Sequence, residues 1–417
     1  MQPIPKFFKI ALAGLLLLSA SRHTDPALSE RADEIHRSIL TLDSHTDTPL
    51  MLGREGFDIA SRNDPDRRGG QVDYPRMKEG GLDAVFFAVF LGQGVRSPEG
   101  HATAKQRALQ IFDQIHNAVD DNPGFAGLAL TPDDAELLRG EGKIAVYIGL
   151  ENGYPIGNDL SLVRKYYDLG ARYITLSHSR NNDICDSSTD PEGPEHGGLS
   201  EFGKEVVREM NRLGMMVDVS HISDQAFYDV LDITVAPVIA SHSNARAVCN
   251  HPRNLGDEML LALKDNGGVI QVCVLSAYVK TPPPNPERDS ARQAVRDRFN
   301  NFVDLTDDEM DKAREAWFKV NEEYPQKLAT IADLVDHIDH IVNLIGIDYV
   351  GIGTDFDGGG SLEDCRDVSE IGNITLELVK RGYTREEIEK IWSGNFMRVF
   401  REAEEQRSLS AHEIQEI

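Results

Sequence analysis

The sequence predicts an α/β fold, a closed (β/α)8 or TIM barrel, from three observations. Eight short segments rich in apolar and β-branched residues recur along the 417-residue chain. Amphipathic helical patterns lie between them, and glycine often follows these patterns, as it does at a helix C-terminus. The strand-like segments are apolar almost throughout, which is typical of parallel strands covered on both faces. Eight repeats of strand and helix describe a closed parallel barrel.

The predicted elements alternate in chain order. The strands are residues 39–43, 82–91, 144–150, 171–176, 215–219, 237–240, 269–274 and 349–352. Helical patterns between them include residues 104–119, 160–169, 201–213, 223–231 and 257–266. A helical insertion, residues 276 to about 327, follows the seventh strand, and helices close the chain. The insertion would project over the active-site end, so we expect either a wall of the pocket or a surface insertion without a role.

An open doubly wound sheet is the alternative fold. Its nucleotide-binding fingerprint is missing, because Gly351 and Gly353 are followed by Phe356 where a third glycine would stand. No linker-like stretch divides the chain. We therefore expect residues 22–417 to form a single barrel domain that contains the insertion.

The net charge and the N-terminal residues indicate which partners and which location to expect. With 69 acidic and 43 basic side chains the formal charge is −26, which repels nucleic-acid phosphates and anionic headgroups, so we expect no nucleic-acid partner. Residues 1–21 have the order of a signal peptide, in which Lys6 and Lys9 precede an apolar run that ends in small residues. We expect cleavage near Ser21 and an exported protein, periplasmic or secreted. No apolar C-terminal tail is present, so no stable membrane anchor is expected.

Histidines and carboxylates follow the predicted strands at their C-terminal ends. They are His45, Asp47, Glu151, His178, His221, His242 and Asp355. In a barrel these ends converge on one mouth. Four imidazoles and three carboxylates buried together would be destabilising unless a cation paired them, so the pattern indicates a metal site. Imidazole with carboxylate suits Zn²⁺, with Mn²⁺ or Co²⁺ as alternatives.

The positions of these residues divide them between two ions. His45 and Asp47 are alternate residues of an extended segment, so their side chains point the same way and can bind one ion together. His221 and His242 lie on adjacent strands and can bind a second ion, with Glu151 between the two as a bridge. Two close metals share a water, lower its pKa and polarise the carbonyl under attack, which predicts a hydrolase.

These residues lie within longer motifs. The motifs are Asp43-x-His45-x-Asp47, Gly149-Leu150-Glu151, Leu176-Ser177-His178-Ser179, Asp218-Val219-Ser220-His221, Ala240-Ser241-His242-Ser243, Arg253-Asn254, the segment 351–358 and the segment 394–399. Together they resemble the renal (membrane) dipeptidase family, zinc peptidases within the amidohydrolase-like barrel superfamily. The resemblance covers nearly the whole chain after residue 21. Most related barrel hydrolases bridge their metals with a carboxylated lysine, whereas here a glutamate stands at the third predicted strand.

The resemblance implies an activity and a role for each site residue. It implies a metallodipeptidase with two Zn²⁺ per chain that hydrolyses free dipeptides by attack of a metal-bridging hydroxide, with tolerance of a D-residue on the C-terminal side. His45, Asp47, Glu151, His221 and His242 would bind the metals. His178 would stabilise the oxyanion, Arg253 would bind the substrate carboxylate, Tyr278 would contribute to that pocket, and Asp355 would act as acid and base. Whether the chain forms a homodimer is left open.

Two alternative functions stay open at this point. A barrel hydrolase acting on another amide, such as a cyclic amide or an N-acyl amino acid, would share the metal site. A non-catalytic binding relative would share the fold, although retention of all five metal positions speaks against it. The remaining histidines His196, His251, His337 and His340 show no partner pattern and are interpreted as solvated or structural.

Overall fold

A closed parallel barrel forms the centre of the structure, a computed structural model that describes residues 25–64, 70–302 and 305–415. Its strands, in chain order, are β1 Leu42–Thr46, β2 Ala84–Phe90, β3 Ala126–Leu128, β4 Ile144–Glu151, β5 Ala171–Thr175, β6 Met216–Asp218, β7 Ile239–Ala240, β8 Val269–Val272 and β9 Val350–Ile352. All except β3 follow one another around the barrel, and each pairing is parallel. Thr46 pairs in parallel with Phe356, just after β9, which brings the two ends of the sheet together. The predicted (β/α)8 barrel is confirmed.

Two strands depart most from the prediction, for physical reasons. β1 begins and ends three residues later than predicted, because its polar residues are satisfied inside the barrel. The Asp43 carboxylate accepts a hydrogen bond from the Thr354 backbone N–H at 2.8 Å and another from the Thr354 hydroxyl. The short strand β3 was not predicted; it pairs with β4 outside the barrel path and is too brief to show a periodic pattern.

Helices surround the strands. Their bounds are α1 Pro26–Ser38, α2 Pro49–Leu52, α3 Tyr74–Gly80, α4 Pro98–Asp120, α5 Asp134–Gly140, α6 Ser161–Asp168, α7 Glu201–Leu213, α8 Asp224–Ile233, α9 Asp257–Asn266, α10 Ser276–Val279, α11 Pro286–Arg298, α12 Asp307–Glu323, α13 Ile331–Ile345, α14 Gly372–Lys380, α15 Arg385–Glu389 and α16 Asn395–Gln415. Capping residues determine where individual helices begin and end. The Ser200 side chain caps α7 by accepting from the Gly203 N–H, and Gly214 ends it with a φ of 71°.

The apolar core lies in two layers that leave one end of the barrel for a site. Outward-facing strand residues such as Val85 and Phe87 pack against the surrounding helices. Inward-facing residues such as Phe86 belong to a second cluster that includes Phe396 and Phe400 of α16. The rings of Phe86 and Phe396 lie 5.2 Å apart. The helix α16 therefore fills the N-terminal end of the barrel, and the polar residues collect at the C-terminal end.

The predicted insertion after the seventh barrel strand is helical. It contains α10, followed by α11 and α12, which pack against each other around Val295, Phe299, Ala313 and Val320. This apolar cluster is separate from the two clusters of the barrel. We call α11 and α12 the helical hairpin.

The predicted signal peptide, residues 1–21, lies outside the described residues. Within the described part of the chain, every helix is too short or too polar to traverse a lipid bilayer. All four cysteines are buried and none forms a disulfide.

Candidate active site

The strand-end residues predicted from the sequence lie together at one mouth of the barrel. Potential ligand atoms fall within 4.8 Å of one another in three overlapping groups, which are His45, Glu151 and His242; Glu151, His178 and His221; and His45, Asp47 and Asp355. All of these side chains are buried except His178, which is 22% exposed. Residues up to 310 positions apart in sequence thus share one pocket, as the barrel topology predicts.

Glu151 lies at the centre, with one carboxylate oxygen towards each half of the cluster. Its Oε2 is 3.4 Å from His45 Nε2. Its Oε1 is 3.1 Å from His221 Nε2 and 3.4 Å from His242 Nε2. A carboxylate held in this way can contact two cations, one through each oxygen.

The buried polar atoms at the mouth are incompletely paired. His45 Nε2, Asp47 Oδ1 and Glu151 Oε2 have no hydrogen-bond partner among the described residues. Leaving such atoms unpaired costs about 1–3 kcal/mol each, or more for a charged group. A divalent cation with nitrogen and oxygen ligands would satisfy all three, and this donor set suits Zn²⁺, Mn²⁺ or Co²⁺. The residues present therefore fit a metal centre.

A tyrosine determines which nitrogen of His45 is free. The Tyr173 hydroxyl donates its only proton to the Ser44 carbonyl at 3.1 Å, so it accepts from His45 Nδ1–H at 2.8 Å. This hydrogen-bond assignment places the proton on Nδ1 and leaves the Nε2 lone pair facing Glu151. Gly149 makes room for the tyrosine, since a Cβ there would lie 2.1 Å from the Tyr173 ring.

A serine and an aspartate orient His242 in the same way. The Ser241 hydroxyl donates to Asp218 Oδ2 at 2.6 Å and therefore accepts from His242 Nδ1–H at 2.8 Å. His242 Nε2 is then unprotonated and points towards Glu151. Both histidines thus receive the kind of outer support that metal-binding imidazoles usually have.

The backbone is strained where it presents the site. His221 has a φ of 71° and Asp355 a φ of 60°, in the left-handed region that non-glycine residues rarely adopt. Gly358 follows closely, and a Cβ there would lie 2.2 Å from carboxylate oxygens of both Asp355 and Asp47. Strain of this kind persists where the surrounding structure over-determines it, and it concentrates at functional sites.

Burial and mutual charge shift the pKa values of these groups in opposite directions. Burial raises the pKa of Asp355 to about 7, against the lowering influence of the His45 imidazole. Burial also raises the pKa of Glu151, but the electrostatic influence of the neighbouring imidazoles of His45, His221 and His242 outweighs burial and holds that pKa well below the usual value. Burial lowers the pKa of His178. Paired groups pushed apart in this way are typical of catalytic sites.

His178 and Arg253 border the cluster. His178 Nδ1 lies 2.9 Å from the Ser179 hydroxyl, and its ring contacts Phe90 edge-on at 4.7 Å. Arg253 is 3% exposed; its Nη2 donates to the His242 carbonyl at 3.0 Å, and its Nε has no partner. Within the described residues this guanidinium forms no ion pair. A buried cation without a carboxylate partner is suited to binding an anion.

Sequence reasoning did not predict the residues that orient the site. Tyr173, Ser241 and Asp218 were not given roles, because Tyr173 reads as a core residue in a strand and the others as ordinary strand-end polar groups. Phe90 was likewise missed. The interpretation of His337 as structural fits its contacts, since Nδ1 accepts from the Ala245 N–H and Nε2 lies 2.8 Å from the Val279 carbonyl.

A parallel barrel with buried, unpartnered imidazoles and carboxylates at its strand ends defines the class of metal-dependent barrel hydrolases. Residues 29–413 match the membrane dipeptidase family (peptidase family M19). The chain belongs to this family, and it is a metallodipeptidase, a hydrolase that acts on peptide bonds.

Individual relatives agree with this assignment. The chain is 34% identical to dipeptidase tcpJ of Claviceps purpurea over 370 residues, which are 87% of this chain and 77% of that protein. It is 32% identical to human dipeptidase 3 over 400 residues, 92% of this chain and 69% of the human protein. Among solved structures, the probable dipeptidase PvdM from Pseudomonas aeruginosa superposes with a TM-score of 0.80 at 32% identity, covering 92% of this chain and all of that one.

Proposed function

We propose that this metallodipeptidase is a binuclear zinc enzyme that hydrolyses free dipeptides, with Glu151 bridging the two ions. The observation that carries the proposal is the position of the Glu151 carboxylate. One of its oxygens faces His45, and the other faces His221 and His242, at 3.1–3.4 Å in each case. His45 and Asp47 would hold one ion, and His221 and His242 the other, with Mn²⁺ or Co²⁺ as alternative metals.

The ions would supply an activated water and a positive charge for the carbonyl oxygen. Two divalent cations held close together lower the pKa of a water towards neutrality and polarise the carbonyl of the scissile bond. Asp355, buried beside His45 and Asp47, would take the proton that the attacking water loses and pass it to the leaving nitrogen. Burial raises the pKa of Asp355 to about 7, which suits a group that both accepts and donates a proton near neutral pH.

His178 would stabilise the oxyanion that develops on the carbonyl oxygen. Its Nδ1 lies beside the Ser179 hydroxyl and its ring is held between Phe90 and His221. The opposite nitrogen, Nε2, lies 3.9 Å from Glu151 Oε1, at the edge of the cluster. A donor fixed in place before the reaction stabilises developing charge without reorganisation.

Arg253 would select short substrates. Its guanidinium donates to the carbonyl of His242, so an anion bound there lies next to a proposed metal ligand. The substrate carboxylate must then be close to the scissile bond, which a dipeptide satisfies and a longer peptide does not. Tyr278, whose ring centre lies 5.4 Å from the Arg253 guanidinium carbon, would form part of the same pocket. From the family resemblance we further propose tolerance of a D-residue on the carboxyl side.

Two further proposals concern the domain organisation and the export of the chain. We propose that residues 22–417 form one domain, since a single large apolar cluster joins residues of α1, near the start of the chain, to residues of α15, near its end. We propose export of the chain from the order of charged, apolar and small residues in 1–21.

A dipeptide library of mixed chirality, combined with metal analysis, tests the proposal. We expect about two metals per chain, cleavage of L,L and L,D dipeptides, and none of tripeptides or longer peptides. Arg253→Ala should raise KM for dipeptides about 10- to 100-fold, the effect of losing a charged hydrogen bond. Cleavage of long peptides, or an unchanged KM in Arg253→Ala, would contradict the assignment of Arg253 and favour another amide as substrate.

A further inference from the structure

His251 lies in the loop between β7 and α9 that presents Arg253. Its ring Nδ1 accepts a hydrogen bond from the Arg253 backbone N–H at 3.2 Å. The same turn is closed by backbone hydrogen bonds from His251 N–H to the Cys249 carbonyl at 2.8 Å and from Asn254 N–H to the His251 carbonyl at 3.0 Å. Pro252, between the two residues, restricts the backbone further because its ring fixes φ. The loop is therefore built around the contact between His251 and Arg253.

The side chains of the loop continue this arrangement. The rings of His251 and Tyr278 are 4.5 Å apart, and the Arg253 guanidinium lies 5.4 Å from the centre of the same tyrosine ring. Asn254 Nδ2 donates to the Tyr278 carbonyl at 2.8 Å, which holds the loop to α10. Arg253 is thus supported through its backbone by His251 and beside its guanidinium by Tyr278.

The hydrogen bond from Arg253 requires an unprotonated Nδ1 on His251. Burial, together with the positive charges of Arg253 and Arg246, lowers the pKa of His251 to about 4. The ring is then neutral at neutral pH, with Nδ1 as the acceptor and the proton on Nε2. The acceptor is therefore available near neutral pH, where the substrate carboxylate is ionised and needs a correctly placed guanidinium.

We propose that His251 is a positioning residue for substrate binding, which orients Arg253 towards the carboxylate of the dipeptide through the hydrogen bond from the Arg253 backbone. The inference rests on the proposed role of Arg253 as the carboxylate-binding residue. It gives a specific role to His251, a residue that the sequence alone indicates only as solvated or structural.

Two substitutions separate the hydrogen bond from the ring contact. His251→Phe keeps a ring against Tyr278 and removes the acceptor. His251→Asn removes the ring and keeps a side-chain oxygen, which can accept from the N–H two residues later, as asparagine does in Asx turns. His340→Phe is a matched control, because His340 is also half-buried and pairs with Asp257 of α9 rather than with Arg253.

The experiment measures kcat and KM for a dipeptide and for its C-terminal amide. For the free carboxylate we expect His251→Phe to raise KM about tenfold, the fold-change of one hydrogen bond, with kcat and metal content unchanged within about twofold. His251→Asn should restore KM, and the amide, which lacks the carboxylate, should show little change in any variant. Should His251→Phe fail to fold, His251→Ala, which adds no bulk, takes its place in the comparison.

The outcomes distinguish this inference from the function on which it rests. If Arg253→Ala raises KM and His251→Phe does not, or if His251→Asn is as impaired as His251→Phe, the positioning role is wrong and the role of Arg253 stands. If Arg253→Ala leaves the preference for a free carboxylate intact, the proposed role of Arg253 fails and the positioning role fails with it.

Discussion

At the scale of single residues, two hydrogen bonds decide which atoms at the mouth are available to a cation. Tyr173 and Ser241 each use their one hydroxyl proton elsewhere, so each must accept from the Nδ1–H of a histidine. His45 and His242 therefore present unprotonated Nε2 atoms to Glu151. The sequence alone could place the histidines at strand ends, but it could not assign these tautomers, because the partners come from other strands.

Removal of the tyrosine hydroxyl should weaken metal binding more than folding. We expect Tyr173→Phe to lower metal affinity about 10- to 100-fold, the usual effect of losing an outer partner of a metal-binding histidine. Tyr166→Phe is the control, since its buried hydroxyl donates to the Pro155 carbonyl at 2.9 Å, away from the mouth. Metal titration in the presence of a competing chelator measures both. Equal affinities in the two variants would show that Tyr173 does not support His45.

Replacing Asp355 should separate catalysis from binding. We expect Asp355→Asn to lower kcat about 10²- to 10⁴-fold, the typical contribution of a general acid and base, while KM changes little. Asp348→Asn, at an exposed aspartate that pairs with Lys390, should leave both constants unchanged. Steady-state kinetics with metal analysis on the same samples gives the comparison. A kcat close to that of the unaltered enzyme would rule out the proposed proton transfer by Asp355.

At the scale of elements, the register of β1 shows what periodicity can and cannot predict. A segment was expected at residues 39–43 because apolar residues define it, whereas the strand continues through polar residues to Thr46. These polar groups are stable inside the barrel because they are hydrogen-bonded. Asp43 accepts from Thr354, just after β9, and the Ser44 hydroxyl donates to the Ile352 carbonyl at 3.2 Å. The pattern identified the strand, and its exact ends depended on hydrogen bonds across more than 300 residues.

The helical hairpin should be an energetically separate element. Phe299 packs with Val295, Ala313 and Val320, outside both clusters of the barrel. We expect Phe299→Ala to increase proteolytic cleavage between residues 285 and 325 without changing the unfolding temperature of the barrel.

Phe227 of α8, which is fully buried in the large apolar cluster between the barrel strands and the surrounding helices, is the comparison position. Phe227→Ala should lower the free energy of unfolding by about 3–5 kcal/mol. Limited proteolysis with mass spectrometry, alongside thermal unfolding, measures both variants. If Phe299→Ala destabilises the barrel as much as Phe227→Ala does, the hairpin is part of the same cooperative unit.

At the scale of the whole molecule, the barrel topology brings polar residues that are distant in sequence together in one site. The fold and the identities of the clustered residues could be predicted because strand ends converge in a closed barrel. The formal charge of −26 belongs to the whole chain, and within the pocket Arg253 contributes a buried positive charge near the clustered carboxylates. The contribution of His251 could not be predicted, because a loop residue shows its partner only once the loop is folded against α10.

Metal removal should affect stability and activity together. Bound metal would satisfy the unpaired atoms at the mouth, so it should stabilise the folded state by about 4 kcal/mol at a thousandfold excess over Kd. We expect a chelator to lower the unfolding temperature and abolish dipeptide cleavage, and added Zn²⁺ to restore both. Mg²⁺, which prefers oxygen ligands in an octahedron, is the control and should restore neither. An unfolding temperature independent of metal would contradict this account.

The stoichiometry of activation tests the central claim, that Glu151 joins two cations, most directly. Metal-free enzyme is titrated with Zn²⁺, and bound metal and dipeptide hydrolysis are measured at each step. The unaltered chain is compared with Glu151→Gln. Glu201→Gln, which changes an exposed glutamate, is the control. For the unaltered chain we predict two bound ions per chain, with activity rising as the second ion binds. For Glu151→Gln we predict fewer than two ions and a kcat/KM about 10³-fold lower, which corresponds to a loss of about 4 kcal/mol of transition-state stabilisation. Full activity with one ion per chain, or two ions and normal hydrolysis in Glu151→Gln, would contradict it.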